Sequence, residues 1–242
     1  MAVARTSQLQ MSPRAPLALP NGREVHLAIR RSERARCILV QVGHLSGEVE
    51  LVLPRGVPIV EGLRFARTKA GWVQDRLRRV VTPVPLVEGT VFPLLGEPVR
   101  IRHTGDPLPA VDRRGGEILV SGRREHVQAR VRDWLKWRVR QEIAPRVDSM
   151  ASVVGRPHKR ITIRDTQSRW GSCSHDGNLS FCWRLIFAPE HVLHYVVAHE
   201  VAHLREMNHG RRFWSLVQRL CEDSAASRAW LRRHAAELHK YG

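Results

Sequence analysis

The chain has 242 residues, enough for one large domain or two small ones, and its apolar content of 43% excludes global disorder. Its 40 lysines and arginines against 23 acidic residues give a net charge of +17, which favours contact with polyanions, DNA or RNA above all. An arginine-rich proteome produces the same excess, so the charge alone does not establish a nucleic-acid partner.

The sequence contains no apolar run long enough to span a membrane and no recognisable signal peptide, so we expect a cytoplasmic protein. Its 4 cysteines include no C-x-x-C pair. This pattern argues against a disulfide scaffold and against a zinc site built from thiolates. It fits reduced thiols in the cytosol.

The first half of the chain predicts a small sheet with one helix packed on it. Residues 1–22 contain several prolines and predict a flexible tail. Apolar and polar residues then alternate in short segments, which is typical of strands with one buried face. These segments lie around 25–29, 38–42, 49–53, 91–92, 99–101 and 118–120. A helical period from 58 to 80 interrupts them, so we expect residues 23–122 to form a β-rich N-terminal subdomain.

The second half predicts a mainly helical domain over residues 123–242. Apolar residues recur at every fourth position from 124 to 150 and predict a long helix, which Pro145 should kink or divide. Two shorter helices are predicted near the end of the chain, over 211–221 and 224–239. Together the two halves predict an α+β protein.

A histidine pair in the second half predicts a metal site. Pro189 and Glu190 are suited to the first turn of a helix. Within this helix His199 and His203 are four residues apart and lie on one face, where two imidazoles can bind one zinc ion. Glu200 lies beside the first of them and can reach a metal-bound water. The H-E-x-x-H spacing is the helix signature of zinc metalloproteases.

A catalytic zinc site takes a third protein ligand, and His209 is the strongest candidate. A turn near Asn208 can bring this histidine back toward the metal, since asparagine tolerates the left-handed backbone that ends helices. Glu206 would share the face of the histidine pair, but it would lie about 10 Å along the axis from the first of them. Glu222 and Asp223 are rivals, because zinc proteases of another kind take a carboxylate from a later helix.

A β-hairpin is predicted just before the zinc-binding helix. After a strand candidate at 161–164, the segment Gln167–Ser174 leads to Asp176-Gly177, a strong hairpin turn signal, and the chain returns as a strand over 178–184. Gly171 permits a bulge or a close approach of another group to the backbone. In zinc proteases an edge strand beside the metal often binds an extended peptide, so this hairpin is a candidate substrate site.

Several short sequence motifs are distributed over most of the chain. In the second half they are Arg169–Ser174, Gly177–Leu179, Trp183–Pro189, Tyr195–Leu204, Asn208-His209 and Phe213-Trp214. In the first half they are Arg34–Arg36, Pro54–Val57 and Lys69–Val73. From about residue 24 onward these motifs closely resemble the YgjP-like metallopeptidase family.

The resemblance implies a zincin-like, minigluzincin-type domain with a β-hairpin beside the zinc helix. It implies that His199, His203 and His209 bind zinc and that Glu200 is the catalytic base. It also implies kinship with the SprT-like proteases, some of which act on proteins crosslinked to DNA.

The sequence therefore predicts a zinc-dependent peptidase. Zinc would lower the pKa of its bound water toward ~7, and Glu200 would take the water proton and pass it to the leaving amine. The group that stabilises the oxyanion is not identified by any motif, and Tyr195, His194 and Arg169 are candidates.

Two other hypotheses account for the same residues. One is a basic nucleic-acid-binding module with a structural, non-catalytic zinc site. Glu200 argues against it, because a closed structural site needs four protein ligands and no base. The other hypothesis combines both functions, with a protease recruited to DNA or RNA, and to the proteins bound there, by an arginine-rich surface.

Overall fold

The computed structural model describes residues 13–43, 46–78, 80, 82–106 and 110–242. Within these ranges it contains three small sheets and six α-helices, so the predicted α+β class is confirmed. The chain forms two compact units, which divide between Thr82 and Pro83.

The first unit is a four-stranded sheet with two helices. Its strands, in chain order, are β1 (Arg14–Ala18), β2 (Glu24–Ser32), β3 (Leu39–Val42) and β4 (Val49–Pro54). They are arranged β1-β2-β4-β3, with β2 and β4 parallel and the other neighbours antiparallel. The helix predicted over 58–80 is two helices that separate at Lys69, α1 (Ile59–Thr68) and α2 (Ala70–Leu77).

Strand β1 lies in the segment that the sequence predicts to be a tail. Leu17 and Leu19 are buried in the core of the first unit. Pro16 is tolerated in β1 because this strand pairs only with β2, and an edge strand does not need every N–H. Residues 14–19 therefore belong to the folded unit, contrary to the predicted tail over 1–22, and residues 1–12 lie outside the described residues.

The second unit contains two further sheets and four helices in its described part. The larger sheet consists of β5 (Val91–Leu94), β6 (Glu97–His103), β7 (Val111–Arg114) and β8 (Glu117–Val120). Its strand order is β5-β6-β8-β7. The smaller sheet consists of β9 (Arg160–Arg164), β10 (Gly171–Cys173) and β11 (Asn178–Cys182). Its order is β10-β11-β9, and β10 and β11 form the predicted hairpin. The four helices are α3 (Val127–Val154), α4 (Glu190–Ala202), α5 (Arg211–Leu220) and α6 (Ser224–His239).

Helix α3 passes through Pro145 and is not divided there, contrary to one of the two predicted outcomes. A proline inside a helix costs about 3 kcal/mol, whereas burial of each aliphatic side chain contributes about 1.5–3 kcal/mol. The buried ladder on this helix is long: Val127, Val131, Leu135, Val139, Ile143 and Val147. The helix ends at Gly155, whose φ of 70° is left-handed and suits a residue without Cβ.

The second unit begins earlier than the predicted C-terminal domain. Phe92, Ile101 and Ile118 of the larger sheet belong to the same hydrophobic cluster as α3. The predicted boundary between residues 122 and 123 therefore runs through one continuous core. Alternating segments indicate that a strand is present, but they do not indicate the sheet or the core that it joins.

A buried arginine connects the segment after β11 with residues 241–242. Arg184 is 4% exposed, and its guanidinium carbon lies 4.6 Å from the centroid of the Trp183 ring. The guanidinium donates to the carboxylate of Asp165 and to the carbonyl oxygens of Tyr241, at 3.3 Å, and Gly242, at 3.1 Å. These acceptors satisfy a charge that would otherwise be costly to bury.

We expect Arg184→Met to lower the free energy of unfolding by about 3 kcal/mol, because it removes charge-assisted hydrogen bonds from a buried position. Burial raises the pKa of Asp165, but the hydrogen bond and charge of Arg184 outweigh burial, and the net result is a lowered pKa. Such a carboxylate stabilises the fold above its ordinary pKa of about 4 and loses that contribution as the pH falls through the lowered value. Denaturant unfolding should therefore show a smaller difference from wild type at about pH 3 than at about pH 7. An equal difference at both pH values would contradict this role of the pair.

None of the helices in the described part of the chain combines the length and the apolar character needed to cross a membrane. The four cysteines are free, and Cys182 and Cys221 are buried. These two thiols act as small side chains of the core.

Candidate metal centre

Helix α4 carries the first histidine of the predicted motif, His199, and the second, His203, is its C-terminal cap. It begins after Pro189 with Glu190 in its first turn, as the sequence predicts. His199 and His203 lie one turn apart on its half-buried side, with ring centroids 5.1 Å apart. The other sides are held in the core by buried apolar residues: Val192, Leu193, Tyr195, Val196, Val197, Ala198, Val201 and Ala202. This packing fixes the helix and therefore the direction in which both imidazoles project.

The chain turns directly after α4. The helix ends at Ala202, and Nδ1 of His203 donates to the carbonyl oxygen of Glu206 at 3.1 Å. This hydrogen bond leaves Nε2 of the same ring available to a metal. The chain turns as predicted, but Asn208 does not take the left-handed backbone offered as the reason, because Leu95 is the only non-glycine residue with a positive φ in the described part of the chain.

The turn brings His209 beside the histidine pair. Its Nε2 atom lies 3.1 Å from Nε2 of His199. One ring nitrogen from each of the three histidines lies within 4.8 Å of the others. Tetrahedral nitrogen ligands at the usual Zn–N distance of about 2.0–2.1 Å are about 3.3 Å apart. The 3.1 Å between the Nε2 atoms of His199 and His209 therefore fits a shared zinc ion.

Two aromatic side chains of α5 pack around this histidine cluster, which we define as His199, His203 and His209. Phe213 is fully buried, and its ring centroid lies between 4.5 and 4.9 Å from those of all three histidines. The ring of Trp214 stacks on that of His209, with ring centroids 5.8 Å apart. The sequence predicts only that both aromatic residues face inward, since their contact with the cluster depends on the turn between α4 and α5.

Two imidazoles of the cluster, those of His199 and His203, have lowered pKa values. Burial, together with the charges of the two neighbouring histidines and of Arg228, lowers the pKa of His199 to about 4. Burial also lowers the pKa of His203, although its hydrogen bond to the carbonyl of Glu206 opposes the shift. A neutral imidazole is the form that binds a metal, so the lowered pKa values of these two histidines favour metal binding at neutral pH.

Glu200 is 6% exposed and lies against strand β10. Burial raises the pKa of its carboxyl group to about 7, although the charge of Arg169 opposes the shift. The space for this carboxyl group depends on Gly171, where a Cβ would lie 2.5 Å from Cγ and 2.7 Å from Oε1 of the glutamate. The sequence suggests a close approach at this glycine but does not identify the group that approaches it.

The other residues considered as a third ligand lie outside the histidine cluster. Among the described residues, the group of side chains close enough to hold a metal ion consists of the three histidines, without Glu206, Glu222 or Asp223. Because α4 ends before Glu206, this residue does not continue the helical face of the histidine pair.

The three oxyanion candidates have different surroundings. His194 donates from Nε2 to the carbonyl oxygen of Leu220 at 3.2 Å, so this nitrogen is engaged at the end of α5. Tyr195 is buried, with its ring centroid 6.0 Å from that of His199. Arg169 is exposed and close enough to Glu200 to affect its pKa. Tyr195 and Arg169 are therefore better placed than His194 to stabilise an oxyanion at the cluster.

The family model of the YgjP-like metallopeptidase domain matches residues 40–234, most of the chain. The chain belongs to the YgjP-like metallopeptidase family. A solved structure, that of the zymogen of the metallopeptidase abylysin from Pyrococcus abyssi, is similar over 38% of this chain and 93% of its own, with 17% sequence identity and a TM-score of 0.34. No curated protein matches the chain.

Membership of the YgjP-like family confirms the resemblance of the motifs and makes the chain a metallopeptidase. A peptidase acts on peptides or proteins. The histidine cluster and Glu200 both lie within the matched residues. The imidazole nitrogen atoms of the cluster are a donor set that zinc prefers.

Proposed function

We propose that this metallopeptidase uses zinc in a zincin-like, minigluzincin-type site. In this proposal the histidine cluster binds the zinc ion and Glu200 is the general base. The strongest support is the convergence of three imidazoles, with Nε2 of His199 and of His209 3.1 Å apart, next to a buried carboxylate. Three nitrogen ligands leave one position for water or substrate, as a catalytic zinc site requires.

In this mechanism Glu200 moves the proton. A zinc ion supplies Lewis acidity, which makes water more acidic and polarises the scissile carbonyl group. One carboxylate oxygen of Glu200 accepts the proton of the attacking water, and a pKa that burial raises to about 7 suits this role. The same group then donates the proton to the amine nitrogen as the C–N bond breaks.

Strand β10 is suited to bind the backbone of the substrate. The order β10-β11-β9 leaves one edge of β10 without a partner strand in the described ranges. An extended peptide can add to such an edge through backbone hydrogen bonds. Because Gly171 of this strand lies against Glu200, a peptide bound along the edge would pass the proposed base.

Zinc content and peptide hydrolysis of His209→Ala test the ligand assignment. We expect about one zinc ion per chain in the wild type, and zinc affinity weaker by at least about tenfold with no hydrolysis in the variant, since one of three protein ligands is lost. The control is His191→Ala, because this exposed histidine lies on the same helix but outside the cluster. Equal zinc affinity in all three proteins would contradict the assignment and favour Glu222 or Asp223.

A structural zinc ion in a nucleic-acid-binding module is the alternative function. Such a site needs a fourth protein ligand, whereas the group formed by the described residues has three. Tightly bound zinc without hydrolysis of any unfolded or DNA-bound protein would favour this alternative.

The net charge of +17 supports one further part of the proposal, that the protein substrates are associated with nucleic acid. We expect the wild type to bind labelled duplex DNA, with an affinity that falls by about tenfold or more from ~50 mM to ~200 mM salt, because arginines displace counterions from phosphates. Fluorescence anisotropy measures this affinity. An absence of binding at low salt would remove nucleic acid from the proposal and leave the peptidase assignment unaffected.

A further inference from the structure

Four arginines line one cavity in the second unit. The cavity has a volume of about 520 Å³. Its lining residues are Arg205, Glu206, Arg211, Arg212, Ser215, Leu216 and Arg219. The lining thus sets four guanidinium groups against one carboxylate, so the cavity is strongly positive. We call it the arginine cavity.

Helix packing accounts for two of the four arginines. Arg205 donates to the carbonyl oxygen of Val154, and Arg219 donates to that of Val153, each at 3.2 Å. Both carbonyl groups lie in the last turn of α3, where the helix dipole favours positive charge. These two side chains therefore stabilise the end of that helix.

The other two arginines have no such role. Arg211 and Arg212 are exposed, and their side chains form no hydrogen bond or ion pair with another described residue. They occupy the first turn of α5, which contains no acidic residue and where the helix dipole disfavours positive charge. Residues that contradict a local preference in this way are concentrated at functional sites.

We propose that the arginine cavity binds an acidic side chain of the peptide substrate, so that the enzyme prefers peptides with Asp or Glu at a fixed distance from the cleaved bond. A guanidinium group binds a carboxylate through two parallel N–H···O bonds. The pair has complementary charges, and the two bonds fix the orientation of the carboxylate. This inference rests on the proposed peptidase function. It adds a preference that the metal centre and the edge of β10 do not supply, because both of those recognise the backbone.

The position of the cavity favours a peptide over a nucleic-acid phosphate. Arg205 follows His203 by two residues, and Arg211 follows His209 by two residues. The cavity is therefore built on the same segment that carries the third proposed ligand. A group bound there is most simply part of the molecule whose backbone lies at the metal centre.

Pairs of quenched fluorescent peptides test the proposal. The two members of a pair differ only by Glu or Gln at one position, and this position is moved along both sides of the scissile bond. For the zinc-loaded wild type we expect one position at which Glu raises kcat/KM about tenfold, mainly through KM. In the double variant Arg211→Gln/Arg212→Gln the Glu-to-Gln ratio should fall to about one.

The matched control is Arg100→Gln/Arg113→Gln, which removes two exposed charges from β6 and β7, outside the cavity, and should keep the ratio. Salt should weaken the Glu preference of the wild type, since an open cavity is screened by ions. A wild type without Glu preference at any position, or equal ratios in the two double variants, would overturn the proposal.

A binding assay separates this inference from the proposed function. The zinc-loaded Glu200→Gln variant binds peptide without turnover, so its affinity for the Glu peptide should be about tenfold higher than for the Gln peptide. If neither peptide is hydrolysed by the wild type, the proposed function fails. The ratio of the affinities of Glu200→Gln for the two peptides then tests the proposed role of the arginine cavity alone. If the Arg211→Gln/Arg212→Gln variant keeps its peptide preference but loses affinity for single-stranded DNA, the cavity is a phosphate site and the proposal is wrong.

Discussion

Replacement of Glu200 by glutamine is expected to abolish peptide hydrolysis and to leave zinc in place. Glutamine has nearly the shape of glutamate but cannot accept the proton of water, so kcat should fall by roughly 10²–10⁴-fold while KM changes little. The side chain is 6% exposed, and a replacement of equal size avoids a cavity that would destabilise the fold. Zinc content and single-turnover hydrolysis of one peptide by both proteins measure the two effects.

Glu222→Gln is the matched control for this experiment. It makes the same chemical change at an exposed glutamate outside the histidine cluster, and it should alter neither zinc content nor hydrolysis. Loss of zinc from Glu200→Gln would show that the carboxylate is a ligand instead of a base. Loss of zinc from Glu222→Gln would show that the carboxylate of Glu222 is the third ligand in place of His209.

Gly171→Ala is expected to reduce hydrolysis by about a hundredfold or more, with zinc retained and little change in stability. The added Cβ would lie 2.5 Å from Cγ, 2.7 Å from Oε1 and 2.8 Å from Cδ of Glu200, distances that the structure cannot keep. The glutamate side chain can rotate away, so the fold survives. The rotation, however, moves the proton acceptor itself, and a displacement of about 1 Å is enough to lower the rate strongly.

A second glycine provides the control for this steric effect. At Gly116 the nearest heavy atom to an added Cβ would be the carbonyl oxygen of Pro98 at 4.0 Å, an ordinary van der Waals distance, so alanine fits there without a clash. Gly116→Ala should therefore retain wild-type hydrolysis. If Gly171→Ala also retained it, β10 would have moved instead of Glu200, and the glycine would have no role in positioning the base.

The residues of the helix motif could be predicted because helix geometry alone relates them. His199, Glu200 and His203 are neighbours in the chain, and a spacing of four residues places two side chains on one face wherever the helix lies. His209 was predicted from the number of ligands that zinc takes and from a turn near Asn208, which is present but is not left-handed at that residue. The early end of α4 involves a hydrogen bond from His203 to a backbone carbonyl, and no periodicity reveals such a bond.

Features that depend on contacts between distant segments could not be predicted. Apolar periodicity records how far a residue is buried, but not which residue covers it. The burial of Leu17, the fit of Gly171 against Glu200 and the acceptors of Arg184 all depend on how elements pack together. For the same reason the strands of the larger sheet were recognised individually and assigned to the other subdomain.

The burial of α4 has a thermodynamic consequence for the metal. Zinc fingers take their folding free energy from the ion and unfold without it. Here the helix is held by apolar side chains of the core, and the buried ring of Phe213 packs against all three imidazoles. We therefore expect zinc at the proposed site to be linked to folding by mass action, so that bound zinc would add RT ln(1 + [Zn]/Kd) to the stability of a fold held by its own core. A chelator would switch the enzyme off while leaving it folded, and returning the ion would restore it with no refolding step.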